Sequence, residues 1–122
     1  MRERTLRVLI ADGRARVRSA LRLLLIQEPG VSVVGEAEDA ARALSLALER
    51  RPDLVLLDWE LPPLGGPAVL ARLRTARPGL AVIALSGWPE ARRAALASGV
   101  DAFVSKGDPP ERLLAAVRGF CP

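Results

Sequence analysis

Histidine is absent from this chain of 122 residues. Without an imidazole, Ser-His nucleophilic catalysis, His-ligated metal centres and phosphohistidine chemistry on the chain itself are excluded. Cysteine occurs once, as Cys121, so no disulfide closes within the chain. No apolar run approaches a membrane span, and the Arg-studded opening "MRERTLRVLI" has no signal-peptide hydrophobic region. These absences lead to the expectation of a soluble cytoplasmic protein with no membrane partner. Lysine is nearly missing too, Lys106 standing alone among 18 basic residues. In a chain that otherwise always chooses Arg, it marks a place that wants a compact point charge on a flexible stem rather than a planar fork.

Half of the residues are apolar, enough to bury the core of one domain but not two, so residues 1–122 are read as one unit with no effector domain. The formal charge of +4 is spread along the chain without a block, as on a solvated Arg-rich surface. With no recognition helix or zinc spacing, direct nucleic-acid binding is not expected.

Strand-length apolar runs occur at Leu6 to Ala11, Val31 to Gly35, Leu54 to Leu57, Leu80 to Leu85 and Ala102 to Ser105. Helical periodicity fills the gaps. Val17, Leu21, Leu24 and Leu25 share one face, and Pro29-Gly30 ends that helix. Ala40, Leu44, Ala47 and Leu48 repeat the spacing up to Pro52. A third helix enters at Pro67 with Val69, Leu70 and Leu73 inward; a fourth, Ala-rich and weakly anchored, runs from about Pro89 to Gly99. The fifth is expected to start with Asp108 as N-cap and Pro109 at the first helical position, burying Leu113, Val117 and Phe120. Alternating βα units with crossovers of this length predict an α/β doubly wound (βα)5 sandwich, its five parallel strands in the order 2-1-3-4-5. Strands one, three and four, the most continuously apolar, are expected at the centre.

Such sheets bind ligands outside the carboxyl ends of their strands. There the chain delivers Asp12 after strand one, Asp58 after strand three, Ser86 after strand four and Lys106 after strand five. Singly, each has an ordinary explanation as a cap, a turn brace or a surface group. Jointly, two carboxylates, a hydroxyl and an ammonium suit a hard cation and a phosphoryl group.

With these residues the chain resembles a receiver domain of the two-component response-regulator family. "RVLIADGR", "PDLVLLDWELPPLGG", "IALSG" and "DAFVSKGDPPERLLAAV" match the family's motifs in order and spacing. The last is closest in detail to the NarL-type regulators, which usually carry a helix-turn-helix domain after the receiver. The resemblance implies a CheY-like fold and a phosphoprotein that switches a partner or an effector domain, a transcriptional one included, without being an enzyme in its own right. It implies that Asp58 is the phosphoacceptor, taking the phosphoryl group from a sensor histidine kinase or a phosphotransfer protein. Ser86, Gly87 and Lys106 would bind the phosphoryl group; Asp12, Asp58 and the carbonyl of Glu60 would place Mg²⁺; Ser86 and Phe103 would form the switch. A homodimer is a further partner the resemblance allows.

The chain departs from the family at Gly13, where a second acid usually follows the first. Unit charges about 4 Å apart interact by roughly 4 kcal/mol at an effective dielectric of about 20, so a missing carboxylate costs up to ~3 decades of Mg²⁺ affinity before solvent screening. The Glu60 side chain, reaching back, is one candidate to restore that charge; an exposed loop Glu is the plainer reading. "LPPLGG" also departs from the usual loop. Trp59 and Trp88 fall in loops at the same edge, either packed beside the pocket or exposed as a docking surface.

Two other readings compete. One is a receiver-like module that works by protein contacts without phosphorylation, favoured by Gly13. The other is a flavodoxin-like flavin binder whose two loop tryptophans sandwich a ring, although strand one is not followed by a Ser/Thr-rich phosphate loop.

Overall fold

The computed structural model describes residues 4–122. Five strands, β1 (Leu6–Ala11), β2 (Val31–Ala37), β3 (Leu54–Asp58), β4 (Ala81–Ser86) and β5 (Ala102–Ser105), alternate with helices α1 (Ala15–Ile26), α2 (Ala40–Arg50), α3 (Gly66–Ala76), α4 (Arg92–Ala97) and α5 (Pro110–Arg118). All neighbouring strands pair in parallel, in the order β2-β1-β3-β4-β5. The expected doubly wound topology is therefore observed, with β2 and β5 at the edges.

β3 shows why the sheet is covered on both faces. Val55 and Leu57 enter one core with Leu46, Val69 and Leu73 of α2 and α3, while Leu54 and Leu56 enter the other with Leu25, Leu113 and Val117 of α1 and α5. Alternate strand residues point to opposite faces, so only an unbroken apolar run fills both cores. Truncating one such leucine to Ala costs about 2–5 kcal/mol. At the strand's carboxyl end the same alternation reaches Asp58, which stays in the ladder opposite Leu85.

Several boundaries differ from the sequence expectation. β2 runs on to Ala37, its register against β1 shifting between Val8 and Leu9. β4 begins at Ala81 and includes Ser86, so the hydroxyl belongs to the strand rather than to the loop after it. α2 is rotated from the expected face: Ala40, Ala43, Leu46 and Ala47 are buried, whereas Leu48 is 58 % exposed. Gly35 explains the rotation, because a Cβ there would lie 3.3 Å from Leu46 Cδ1, and the missing side chain admits that leucine. On α1 only Leu25 is fully buried. The fourth helical segment opens as a 3₁₀ turn, Pro89–Ala91, before the short α4, and of α4 only Ala95 is buried. α5 starts one residue later than expected, with Pro109 as N-cap and Pro110 first in the helix. Asp108 accepts instead from the Ser105 N–H at 3.1 Å, bracing the turn that carries Lys106.

No helix among the described residues is long and apolar enough to cross a membrane.

Candidate functional site

The carboxyl ends of β1, β3, β4 and β5 converge. Lys106 Nζ lies 2.7 Å from Asp12 Oδ2 and 3.2 Å from Asp58 Oδ1, one ammonium bridging two buried carboxylates. Asp12 is 1 % exposed. Its Oδ1 accepts from the Arg14 N–H at 2.8 Å and its carbonyl from Arg18 Nη1 at 2.9 Å. Its Oδ2 makes no directed hydrogen bond among the described residues, so the ion pair with Lys106 is what balances that oxygen. A buried carboxylate needs such a partner. Asp58 Oδ1 also accepts from the Glu60 N–H at 3.0 Å.

Lys106 follows β5, and its backbone N–H donates to the Ser86 carbonyl at 2.8 Å, tying the lysine turn to the end of β4. Ser86 is fully buried. Its hydroxyl faces the Glu60 carboxylate, 3.0 Å from Oε1 and 2.9 Å from Oε2, and accepts from the Trp88 N–H at 3.0 Å. A cleft of about 620 Å³ opens over these groups, lined by Gly13, Arg14, Asp58, Glu60, Pro62, Gly87, Trp88 and Lys106. A Cβ on Gly87 would meet nothing within 4 Å, so the floor beside Ser86 is open.

Asp12, Asp58, Ser86, Gly87, Lys106 and Glu60 are thus brought to one place. Phe103 is not at the cleft; it is 8 % exposed and packs in the core shared by α2 and α3. The tryptophans divide between their two readings. Trp59 is buried against Gly66, whose N–H donates to the Trp59 carbonyl at 2.7 Å. Trp88 is 61 % exposed at the rim. With Trp59 buried, a flavin sandwiched between the two rings loses one wall.

Two contacts escaped sequence reasoning. The Glu60 to Ser86 contact spans 26 residues and has no local signature. The other pairs Gly13 with Pro62: a Cβ on Gly13 would lie 3.1 Å from Pro62 Cδ. Gly13 was the one visible signal, since the loop departures in "LPPLGG" fall at Pro63 and Gly65 rather than at Pro62.

Among the described residues no group of three or more His, Cys, Asp and Glu gathers in the manner of a metal cluster. Mg²⁺ commonly binds through only one or two carboxylates, completing its octahedron with water and substrate phosphate. The paired, all-oxygen donors Asp12 and Asp58 fit that chemistry.

The response regulator receiver domain model matches residues 8–118, and the chain belongs to that family. Its members are phosphoacceptor signalling modules of two-component phosphorelays rather than enzymes in their own right. The chain is 32 % identical over 112 residues to the nitrate/nitrite response regulator protein NarL of Escherichia coli, covering 90 % of this chain and 52 % of that protein. It spans about half the length of the first curated relatives it matches. The response regulator domain of Thermotoga maritima CheB superposes with a TM-score of 0.86 at 28 % identity, covering 97 % of each chain. A LuxR-family response regulator from Aurantimonas sp. SI85-9A1 gives 0.89 at 29 % identity, covering 96 % of this chain and 85 % of the other.

Proposed function

We propose that this chain accepts a phosphoryl group on Asp58 from a sensor histidine kinase or a phosphotransfer protein, in the cytoplasm, and thereby changes the partner preference of its α4 and β5 face. A carboxylate oxygen of Asp58 attacks phosphorus; the O–P bond forms as the P–N bond of the donor's phosphohistidine breaks, and the imidazole leaves with the bonding pair and takes up a proton. The chain has no histidine, so the donor is a separate protein or domain.

The observation that carries this reading is the bridging lysine, with Nζ at 2.7 Å from Asp12 and 3.2 Å from Asp58. It sets a positive charge beside the oxygen that would receive the phosphoryl group. Lys106 and Ser86 would bond the phosphoryl oxygens, and the open space at Gly87 leaves room for them. Asp12, Asp58 and the Glu60 carbonyl would hold Mg²⁺, which supplies charge neutralisation for the phosphoryl oxygens. Phe103, on β5 and buried in the cluster that also holds Ala95 of α4, would relay the change. The name of the Bordetella pertussis relative, the positive transcription regulator BvgA, 39 % identical over 102 residues, suggests a transcriptional output through an effector domain or a partner, a homodimer included.

Intact mass after incubation with acetyl phosphate and Mg²⁺ tests the proposal: one phosphoryl group is gained by the native chain and none by Asp58→Asn. A second reading, a receiver that works without phosphorylation, draws on Gly13 and its tight fit against Pro62. It is the correct one if Mg²⁺ perturbs tryptophan emission while the mass stays unchanged.

A further inference from the structure

Ser86 carries one hydroxyl proton, and in this structure a side chain of the protein itself claims it. Both carboxylate oxygens of Glu60 lie within 3.0 Å of Ser86 Oγ, while the Trp88 N–H, at 3.0 Å, takes one of its acceptor positions. A serine hydroxyl has a single donor. With that donor committed to Glu60, none remains for an incoming anion. Glu60 is otherwise an exposed residue on the rim of the cleft, so its side chain can leave the hydroxyl for water without disturbing the core. Its backbone stays fixed, because its N–H is bonded to Asp58 Oδ1 at 3.0 Å. The anchored backbone and the releasable carboxylate make a latch across the mouth of the cleft, between Asp58 and Ser86.

We infer that Glu60 is a positioning residue that gates the phosphoryl site: its carboxylate holds the Ser86 hydroxyl at rest and must be expelled before a phosphoryl group on Asp58 can bond it. This inference rests on the proposed phosphoacceptor role of Asp58 and adds a control to it. The gate acts in two ways. It occupies the required donor, and it sets a negative charge where a dianionic group has to settle. The Trp88 N–H, bonded to the same oxygen, ties the loop after β4 to the state of the latch.

The experiment has a structural arm and a chemical arm. In the unphosphorylated protein, the backbone amide resonance of Trp88 is followed by NMR in native, Glu60→Ala, Glu60→Gln, Ser86→Ala and doubly substituted Glu60→Ala/Ser86→Ala chains. The latch shifts that resonance in Glu60→Ala, with no further shift when Glu60→Ala is added to Ser86→Ala. A Trp88 resonance indifferent to Glu60→Ala overturns the latch, whatever phosphorylation does. In the chemical arm, acetyl phosphate with Mg²⁺ labels Glu60→Ala faster than native by about 2- to 12-fold, the span of one net hydrogen bond. Glu60→Gln, which keeps an acceptor but loses the charge, falls between the two. The gain disappears in the Ser86→Ala background. An equal gain in that background overturns gating through Ser86 and leaves only charge repulsion. A native chain that gains mass at the Glu60→Ala rate overturns the gate while the phosphoacceptor reading stands. No mass gain in any variant overturns both the phosphoacceptor reading and the gating role, even with the NMR contact intact.

Discussion

Trp59 and Gly66 share one volume: a Cβ on Gly66 would lie 2.2 Å from Trp59 Cε3 and 2.4 Å from Cδ2, closer than atoms approach without displacement. The indole rests on the bare backbone at the start of α3, next to the residue read as the phosphoacceptor. Gly66→Ala must drive the ring or the helix aside, and overpacking of this kind costs about 1–3 kcal/mol, more than the ~1 kcal/mol Ala gains over Gly within a helix. Thermal denaturation is expected to show a lower midpoint, with tryptophan emission shifted towards that of an exposed ring.

Removing the lysine of the bridge leaves Asp12 buried without its balancing charge. Lys106→Met is expected to lower stability at neutral pH by about 1–3 kcal/mol, below the full cost of breaking a buried pair because Lys106 is partly solvated. Asp12→Asn combined with Lys106→Met should recover part of the loss, Asp58 still lacking the ammonium. Urea titration of the single and double variants measures this.

Restoring the family's second acid has a steric condition. In Gly13→Asp the new Cβ comes within 3.1 Å of Pro62 Cδ, so the loop must yield by a few tenths of an ångström. Mg²⁺ affinity, read by fluorescence titration, is expected to rise by about tenfold or more, short of the ~3 decades of the unscreened Coulomb estimate. The melting midpoint should fall by a few degrees. Pro62→Ala in the same chain should return the midpoint and keep the affinity.

Away from the cleft, Glu28 and Arg118 pair across 90 residues, from the end of α1 to the end of α5. The hydrogen bond from Arg118 is the main cause that lowers the Glu28 carboxyl below its ordinary value of 4.5; burial opposes it, and the Arg118 charge adds to the lowering. A carboxyl depressed in the folded state stabilises the fold above its unfolded pKa and loses that contribution as pH falls through the folded value. Glu28→Gln is therefore expected to be less stable than the native chain at neutral pH, the difference closing as pH drops below the ordinary glutamate range. Chemical denaturation from pH 7 down to pH 3 checks the sign.

Trp88, 61 % exposed at the rim of the cleft, has the exposure and residue type of a binding hot spot. Trp88→Ala keeps the backbone N–H that reaches Ser86. It is expected to change stability by less than about 0.5 kcal/mol and to slow phosphotransfer from a protein donor by a larger factor than labelling by acetyl phosphate. Parallel rate measurements with the two donors separate these effects.

The sheet was legible because Val8 to Ala11 and Leu54 to Leu57 are apolar on both faces, and only a strand covered twice needs that. The convergence of Asp12, Asp58, Ser86 and Lys106 followed from strand order alone. The rotation of α2 was not legible, because alanines stand on both of its faces and the deciding contact is the gap left by Gly35 on β2. The start of α5 slipped because Pro109 and Pro110 are equally good first residues, and Asp108, the apparent cap, has its carboxylate taken by Ser105. The Glu60 to Ser86 contact depends on how the loop after β3 folds back over the last residue of β4, which no local pattern records.

Asp12, Asp58, Ser86 and Lys106 come from the carboxyl ends of four different strands, and β1, β3, β4 and β5 stand side by side in the sheet. No contiguous fragment of the chain therefore owns this chemistry, and a partly folded intermediate lacking any one of those strands is chemically mute. Acquisition of a phosphoryl label would then double as a proofreading signal, reporting that these four strands have closed in register.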